Sequence, residues 1–307
     1  MLRLPSFAKI NLGLEVLGVR QDGYHELRTI FQTIDLRDDI LIRSGGRDVT
    51  VTCDHPAVPA GRQNLAWRAA DELRRFAKRT DGVEIRIAKR IPVAGGLGGG
   101  SSNAAAVLLG LDRLWRLGLG PEDLHRIARR IGADVPYFLV GGTALGLGRG
   151  DEVYPLWRQI RIHVVVADPG RALSTAAVFA RLDRSLTPRE NSNKIFRFIS
   201  RDLEGKGTAF PILANDLEEA ALEEAPDLAG QVRHIRGILV REGAVAASLS
   251  GSGSSLFGLF DDPQRARRAH AALAAEGLSA FRGRTLSLDQ YRGAWRRSLG
   301  LEGRRPR

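Results

Sequence analysis

The most constraining stretch of the chain is Pro92–Ala105, PVAGGLGGGSSNAA, which packs five glycines into six positions, adds two serines and runs on into apolar sequence. Glycine adopts positive φ without steric cost, so such a segment can curl successive backbone N–H groups into one concavity, a nest for an anion. A helix opening at Ser101–Asn103 adds unpaired N–H groups and the positive end of its dipole. The two serines bring hydroxyls able to cap that helix, bond a phosphate oxygen or touch a magnesium ion. Flexible linkers join domains and do not open buried helices, so the sequel Asn103-Ala-Ala-Ala-Val-Leu-Leu argues against a linker. A tight structural turn is the alternative reading. Position 101 is Ser where a P-loop requires Lys and where a dinucleotide fingerprint requires Gly, so neither common nucleotide loop is present.

The chain of 307 residues is long enough for two domains, and 43% hydrophobic with 26% charged residues is ordinary globular composition. No apolar stretch approaches the roughly 18 to 20 residues of a membrane span, and Met1-Leu-Arg-Leu-Pro lacks a signal peptide's apolar core, so a cytoplasmic location without membrane partners is expected. A lone Cys53 excludes an internal disulfide framework and a Cys-rich metal site, and the six histidines show no metal-ligand spacing. The net charge of +11 would suit a polyanion. However, six arginines against Glu302 place +5 of it between Tyr291 and Arg307, a basic tail expected to be frayed and solvated.

Along the chain, Phe7–Leu17 alternates as a strand, with Ala8, Ile10, Leu12, Leu14 and Val16 on one face and Lys9, Asn11, Gly13 and Glu15 on the other. A second strand spans Leu27–Leu36, a helix spans Arg62–Arg79 with Asn64 as its cap, and a short strand at Val83–Ala88 leads into the glycines. Helices follow at Ser101–Leu117 and Pro121–Ile131, then a strand over Tyr137–Leu147. A second unit starts with a strand at 161–168 and passes through a loose region to about Pro211. It ends in helix Leu228–Arg241, strands Gly243–Leu249 and Ser255–Phe260, helix Pro263–Glu276 and strand Ser279–Thr285. Without a strict alternation of strand and helix, the class is α+β, with helices layered on mostly antiparallel sheets.

Four features outside the glycine run could carry chemistry. Lys9 and Asn11 share a strand face about 6.5 to 7 Å apart. Tyr24-His25 follows a turn at Gly23, Asp134 follows a helix stop at Gly132, and Ser248–Ser255 (SLSGSGSS) is a second glycine-serine loop between two strands. Each has a plainer reading: a solvated strand face, a packed aromatic pair, a capping carboxylate and a wide hairpin.

Together these segments resemble the kinase superfamily that includes galactokinase, homoserine kinase, mevalonate kinase and phosphomevalonate kinase, the GHMP kinases. Its N-terminal strand, its Pro-x-x-x-Gly-Leu-Gly-Ser-Ser loop and its C-terminal glycine loop have counterparts here in order, from position 8 to 258. Ala8–Leu14, Asp22–Leu27, Gly95–Ala105, Gly132–Pro136 and Asn215–Glu218 are most similar to one branch, whose acceptor is a cytidine diphosphate-linked methylerythritol; Gly23-Tyr-His-Glu-Leu27 distinguishes that branch best. The resemblance implies two domains, an S5-like α/β domain at 1–155 that binds ATP and a ferredoxin-like α+β domain at 156–290 that contributes to the acceptor site, with 291–307 as the tail. It implies Asp134 as catalytic base with Lys9 as partner. Pro92, Val93, Ala94, Gly95, Gly96, Leu97, Gly98, Gly99, Gly100, Ser101 and Ser102 would wrap the triphosphate of ATP with Mg2+, with Asn64 and Lys89 near the nucleotide. Tyr24 by stacking and His25 by hydrogen bonds would hold cytosine, Phe179 would form its opposite wall, and Asn11, Thr175, Gly251, Ser252 and Gly253 would complete the acceptor site. The metal's protein ligands are open. Ala94 stands where the family often has glycine, and the segment Ser174–Phe179 lacks a proline common there. A monomer or weak homodimer without nucleic acid is expected. The competing class, a basic nucleic-acid-binding protein, is disfavoured by 6% aromatic content and the lack of a basic-aromatic stripe.

Overall fold

The computed structural model describes residues 1–157, 159–183, 194–203 and 214–301. The chain opens with two long antiparallel strands, β1 (Leu2–Val19) and β2 (His25–Ser44), joined by the turn that holds Tyr24. There follow β3 (Val49–Cys53), α1 (Leu65–Phe76), β4 (Val83–Ala88), α2 (Gly99–Trp115), α3 (Pro121–Ile131), α4 (Val135–Val140), β5 (Thr143–Gly148) and β6 (Glu152–Pro155). Strand β2 organises this half: β1 pairs along one of its edges, while the other edge pairs first with β5 (Leu27–Gln32) and then with β4 (Asp39–Ser44). The six strands run in the order β3-β4-β2-β5-β6 with β1 on β2, and only β3 and β4 are parallel.

The second half contains β7 (His163–Asp168), α5 (Thr175–Asp183), α6 (Lys194–Leu203), α7 (Glu218–Glu224), α8 (Pro226–Arg241), β8 (Ala246–Leu249), β9 (Leu256–Phe260), α9 (Pro263–Ala275), β10 (Ser279–Arg284) and α10 (Leu288–Ser298). Its sheet order β10-β7-β9-β8 is antiparallel throughout, which gives its strands the spatial order fourth, first, third, second of a ferredoxin-like sheet. The loose region of the sequence falls partly at 184–193 and 204–213, outside the described residues. Among those residues no helix is long and apolar enough to cross a membrane.

Three apolar clusters explain why these elements hold together. Helices α1, α2 and α3 cover the first sheet through Ala66, Leu73, Ala105, Leu108, Leu111 and Ile127. Helices α8 and α9 cover the second through Val232, Ile235, Ala269 and Leu273. Between the halves, Ala8, Ile10 and Leu12 of β1 pack with Val164, Val166, Phe257 and Leu259 of the second sheet. This sandwich fixes β1 with its apolar face against the second sheet, so its Lys9/Asn11 face turns into the first half. That face is buried, Lys9 and Asn11 being only 4% and 3% exposed, and is not a solvated surface.

Two expectations are corrected. The apolar run from Tyr137 is the end of a short helix, α4, with Pro136 in its first turn, and the strand starts only at Thr143. Short apolar runs fit a buried helix and a buried strand equally well by periodicity. The arginine-rich segment after Tyr291 is not frayed up to Ser298: α10 is closed by a capping box between Ser287 and Gln290, and Tyr291 and Trp295 are buried in the first half's core. Its arginines stand on the outer face of an amphipathic helix, so composition mistook one face for the whole.

Candidate active site

A cleft of about 540 Å³ opens where the two halves meet. The glycine run forms one wall. Gly96 (φ +74°) and Gly98 (φ +69°) occupy the left-handed region, and Gly98 is the cap from which α2 starts, with no side chain capping its first N–H groups. Ala94 also sits at φ +55°, the physical reason glycine suits that position. The glycines are needed for close approach as well. A Cβ on Gly96 would lie 1.9 Å from the Ser250 carbonyl oxygen, and one on Gly95 would lie 2.3 Å from Ser255 Oγ. The two glycine-serine loops of the sequence therefore pack directly on each other: Ser250 Oγ donates to the Gly96 carbonyl (2.9 Å) and the Ser255 N–H to the Gly95 carbonyl (3.2 Å). Asn215 fastens the second loop by donating from Nδ2 to the carbonyls of Leu249 (3.2 Å) and Gly251 (2.7 Å).

Lys9 and Asp134 meet in this cleft. Lys9 Nζ lies 3.5 Å from Asp134 Oδ2 and donates to Asn11 Oδ1 at 2.6 Å. Asn11 Nδ2 donates to Thr29 Oγ1 (2.8 Å), which donates on to the Gly13 carbonyl (2.7 Å), so each polar group on this buried strand face has a partner. Asp134 stands at the start of α4 without capping it, its side chain a third exposed toward the cleft. A buried ammonium, a half-open carboxylate and a glycine-lined helix N-terminus can together take a proton from a hydroxyl and hold a polyphosphate.

Lys89 lines the cleft but is committed elsewhere. Its Nζ donates to Asp38 Oδ2 (2.9 Å) and to the Ile91 carbonyl. Asp38, fully buried, also accepts from the N–H groups of Arg90 (2.7 Å) and Ile91 (2.8 Å). In the amide orientation that satisfies both its atoms, Asn103 Nδ2 donates to Asp38 Oδ2 (3.0 Å). One carboxylate thus ties the chain entering the glycine loop to the helix leaving it. Asn64 lines the cleft and caps α1, accepting from the Ala66 N–H (2.9 Å).

At the other end, Phe179 lines the cleft and stacks on His25 with centroids 4.5 Å apart and planes at 26°. His25 Nε2 lies 2.7 Å from Asp183 Oδ1, at the end of α5. Tyr24 is exposed beside them, with the Arg149 guanidinium over its ring at 4.8 Å. Thr175 and Ser252 share a hydrogen bond of 2.9 Å at the cleft wall, next to Gly251. Gly253 does not join them: a Cβ there would face Leu249 and Leu173 in the core, and the residue serves the loop's fold. Sequence reasoning missed Asp38, Arg149 and Asp183, which lie in ordinary strand, turn and helix-end contexts; only the shared carboxylate-cation chemistry of the fold reveals them.

Among the described residues no group of three or more His, Cys, Asp or Glu side chains could hold a metal. The residues present fit a cation that arrives on a polyphosphate: Asp134 and Ser101 offer oxygens in the cleft, and Ser102 Oγ is buried at the head of α2 without a partner.

Fold and cleft define a GHMP kinase. The chain matches the model of the N-terminal domain of the GHMP kinases over residues 64–142 and that of their C-terminal domain over 200–278. It is 42% identical over 287 residues to the 4-diphosphocytidyl-2-C-methyl-D-erythritol kinase of Citrifermentans bemidjiense, covering 93% of this chain and 99% of that protein. It is 42% identical to the kinase of the same name from Gloeobacter violaceus, covering 91% and 93%. A crystal structure of 4-(cytidine 5'-diphospho)-2C-methyl-D-erythritol kinase superposes with a TM-score of 0.74 at 36% identity, covering 92% of this chain and 98% of that one. A mevalonate kinase from L. major shares the fold, with a TM-score of 0.70 at 20% identity over 93% and 95%. The chain belongs to the 4-diphosphocytidyl-2-C-methyl-D-erythritol kinase family of the GHMP kinases.

Proposed function

We propose that this kinase transfers the γ-phosphoryl group of ATP to the tertiary 2-hydroxyl of 4-diphosphocytidyl-2-C-methyl-D-erythritol, giving the 2-phosphate, a step of isoprenoid precursor biosynthesis by the non-mevalonate route. The observation that carries the reading is the Lys9–Asp134 pair set in the same cleft as the glycine loop. Residues 1–155 hold ATP, and residues 156–290 close the acceptor end through Thr175, Phe179, Gly251 and Ser252. The protein acts in the cytoplasm, as a monomer or weak homodimer, without nucleic acid.

Phosphoryl transfer passes through a loose transition state, so catalysis is positioning plus stabilisation of spreading charge. The N–H groups of Gly98–Gly100 and the α2 dipole receive the triphosphate. Ser101, together with the phosphates themselves, would be the oxygens at hand for Mg2+, which would supply charge neutralisation when bound. Asp134 accepts the proton of the attacking hydroxyl. Lys9 orients that carboxylate, and its ammonium offsets negative charge near the transferred group. Asn11 and Thr29 keep Lys9 from wandering: a long flexible stem is pinned at its tip by a chain of hydrogen bonds that ends on the Gly13 carbonyl. Tyr24, His25 and Phe179 hold the cytosine.

An ADP-release assay over a panel of alcohol acceptors, including the cytidine diphosphate compound, homoserine and mevalonate, tests the assignment. Turnover of the cytidine compound alone is expected; comparable turnover of another acceptor would reassign the substrate within the superfamily.

A further inference from the structure

The cleft is lined by three cations among the described residues, Lys9, Lys89 and Arg149. Two are already spoken for: Lys9 by Asp134 and Asn11, and Lys89 by Asp38 and the Ile91 carbonyl. Arg149 also has a carboxylate, Asp151, but shares it with a second guanidinium. It stands in the turn between β5 and β6, flanked by Gly148 (φ +66°) and Gly150 (φ +87°), whose positive φ angles make the tight bend there. Its Nη2 donates to Asp151 Oδ2 (2.8 Å), and among the described residues nothing accepts from its Nε or Nη1. Asp151 is itself buried and shared with Arg129 Nε at 2.8 Å, so one carboxylate serves two guanidiniums; Asp22, within electrostatic reach of Arg149, is shared in the same way with Arg20. The Arg149 guanidinium carbon lies over the Tyr24 ring at 4.8 Å, a cation–π contact that holds the side chain beside the aromatic residue.

We propose that Arg149 binds the diphosphate of the acceptor and is the residue that makes the site specific for a nucleoside diphosphate over a nucleoside. The inference rests on the acceptor reading above. A planar fork matches two phosphate oxygens at once, which a flexible ammonium does not. Bracing by Asp151 and Tyr24 means little side-chain entropy is left to lose on binding. The position also fits: Arg149 adjoins Tyr24 of the cytosine slot, whereas the glycine loop receives ATP through backbone groups of its own.

Arg149 could instead act only by supporting Tyr24, and the test separates the two. Binding of CDP, of cytidine and of a non-hydrolysable ATP analogue is measured on the full chain and on Arg149→Gln and Arg149→Lys. The expected result is a loss of CDP affinity of roughly tenfold to a hundredfold in Arg149→Gln, a smaller loss in Arg149→Lys, and cytidine and ATP-analogue affinities within about twofold of the parent. The KM of the acceptor should rise in parallel with kcat nearly unchanged. Equal losses for CDP and cytidine would reduce Arg149 to a support for Tyr24 and overturn the inference, as would unchanged CDP affinity or a selective loss of the ATP analogue. A parent protein that binds neither CDP nor cytidine would overturn the acceptor reading itself.

Discussion

Asp38 and Lys89 form a buried ion pair, Nζ to Oδ2 at 2.9 Å, directly beneath the glycine loop. Removing one member of such a pair strands the other without water, which costs about 3 to 5 kcal/mol. Asp38→Ala should therefore lower stability by that order in urea unfolding. In the fraction that folds, it should raise the KM for ATP more than the KM for the acceptor, because Asp38 also holds the N–H groups of Arg90 and Ile91 at the loop's entry. Lys89→Met, which leaves those backbone bonds in place, should weaken ATP less than Asp38→Ala does.

Gly96 offers a test of the contact between the loops. Its φ of +74° and that of Gly46, +77°, impose the same strain on any side chain, but a Cβ on Gly46 meets nothing within 4 Å while one on Gly96 would overlap the Ser250 carbonyl. Gly46→Ala should cost about 1 kcal/mol. Gly96→Ala should cost several times more and abolish nucleotide binding. Similar losses in the two variants, measured by thermal unfolding, would mean that the loops can separate without consequence.

Asp151 gives the site a pH signature. Burial pushes its carboxyl up, but the hydrogen bonds from Arg149 and Arg129, with their charges, outweigh this and hold it below the usual carboxylate value of 3.8. A depressed carboxylate contributes stability that is fully present above its unfolded value and lost as pH falls through its folded value. Between neutral pH and about pH 5 the contribution is constant; below about pH 4 it fades. Asp151→Asn should thus lose about 1 to 2 kcal/mol at pH 7 and show a shallower loss of stability on acidification than the parent.

Much of this architecture was legible in the sequence because its signals are local. Alternation marked β1, the Asn64 cap marked α1, and the run of β-branched residues marked β7. The glycine run announced its nest because both its glycine spacing and the helix after it are local. What stayed hidden depends on distant contacts. The Lys9/Asn11 face reads as solvated until the second sheet covers the opposite face of β1. Asp38, in the charged string Asp35-Leu-Arg-Asp-Asp39, looks like any surface carboxylate until the loop from Lys89 to Ile91 folds over it. Tyr291 was hidden by the arginines around it, although its ring is buried and its hydroxyl donates to the Phe138 carbonyl at 2.5 Å.

That last contact connects the C-terminal helix to the cleft, since Phe138 closes against Gly98. Tyr291→Ala should destabilise by about 3 to 5 kcal/mol and leave the acceptor KM of the surviving fold little changed. An acceptor KM that moved with it would mean that α10 tunes the site directly.

Asp134 takes the proton, while the glycine loop and the head of α2 hold the triphosphate of ATP without it. The most direct test is single-turnover phosphoryl transfer by Asp134→Asn, with ATP-analogue affinity measured on the same protein. The rate is expected to fall by about 10² to 10⁴-fold with nucleotide affinity within about threefold of the parent. A near-normal transfer rate, or a loss explained entirely by weaker nucleotide binding, would contradict it.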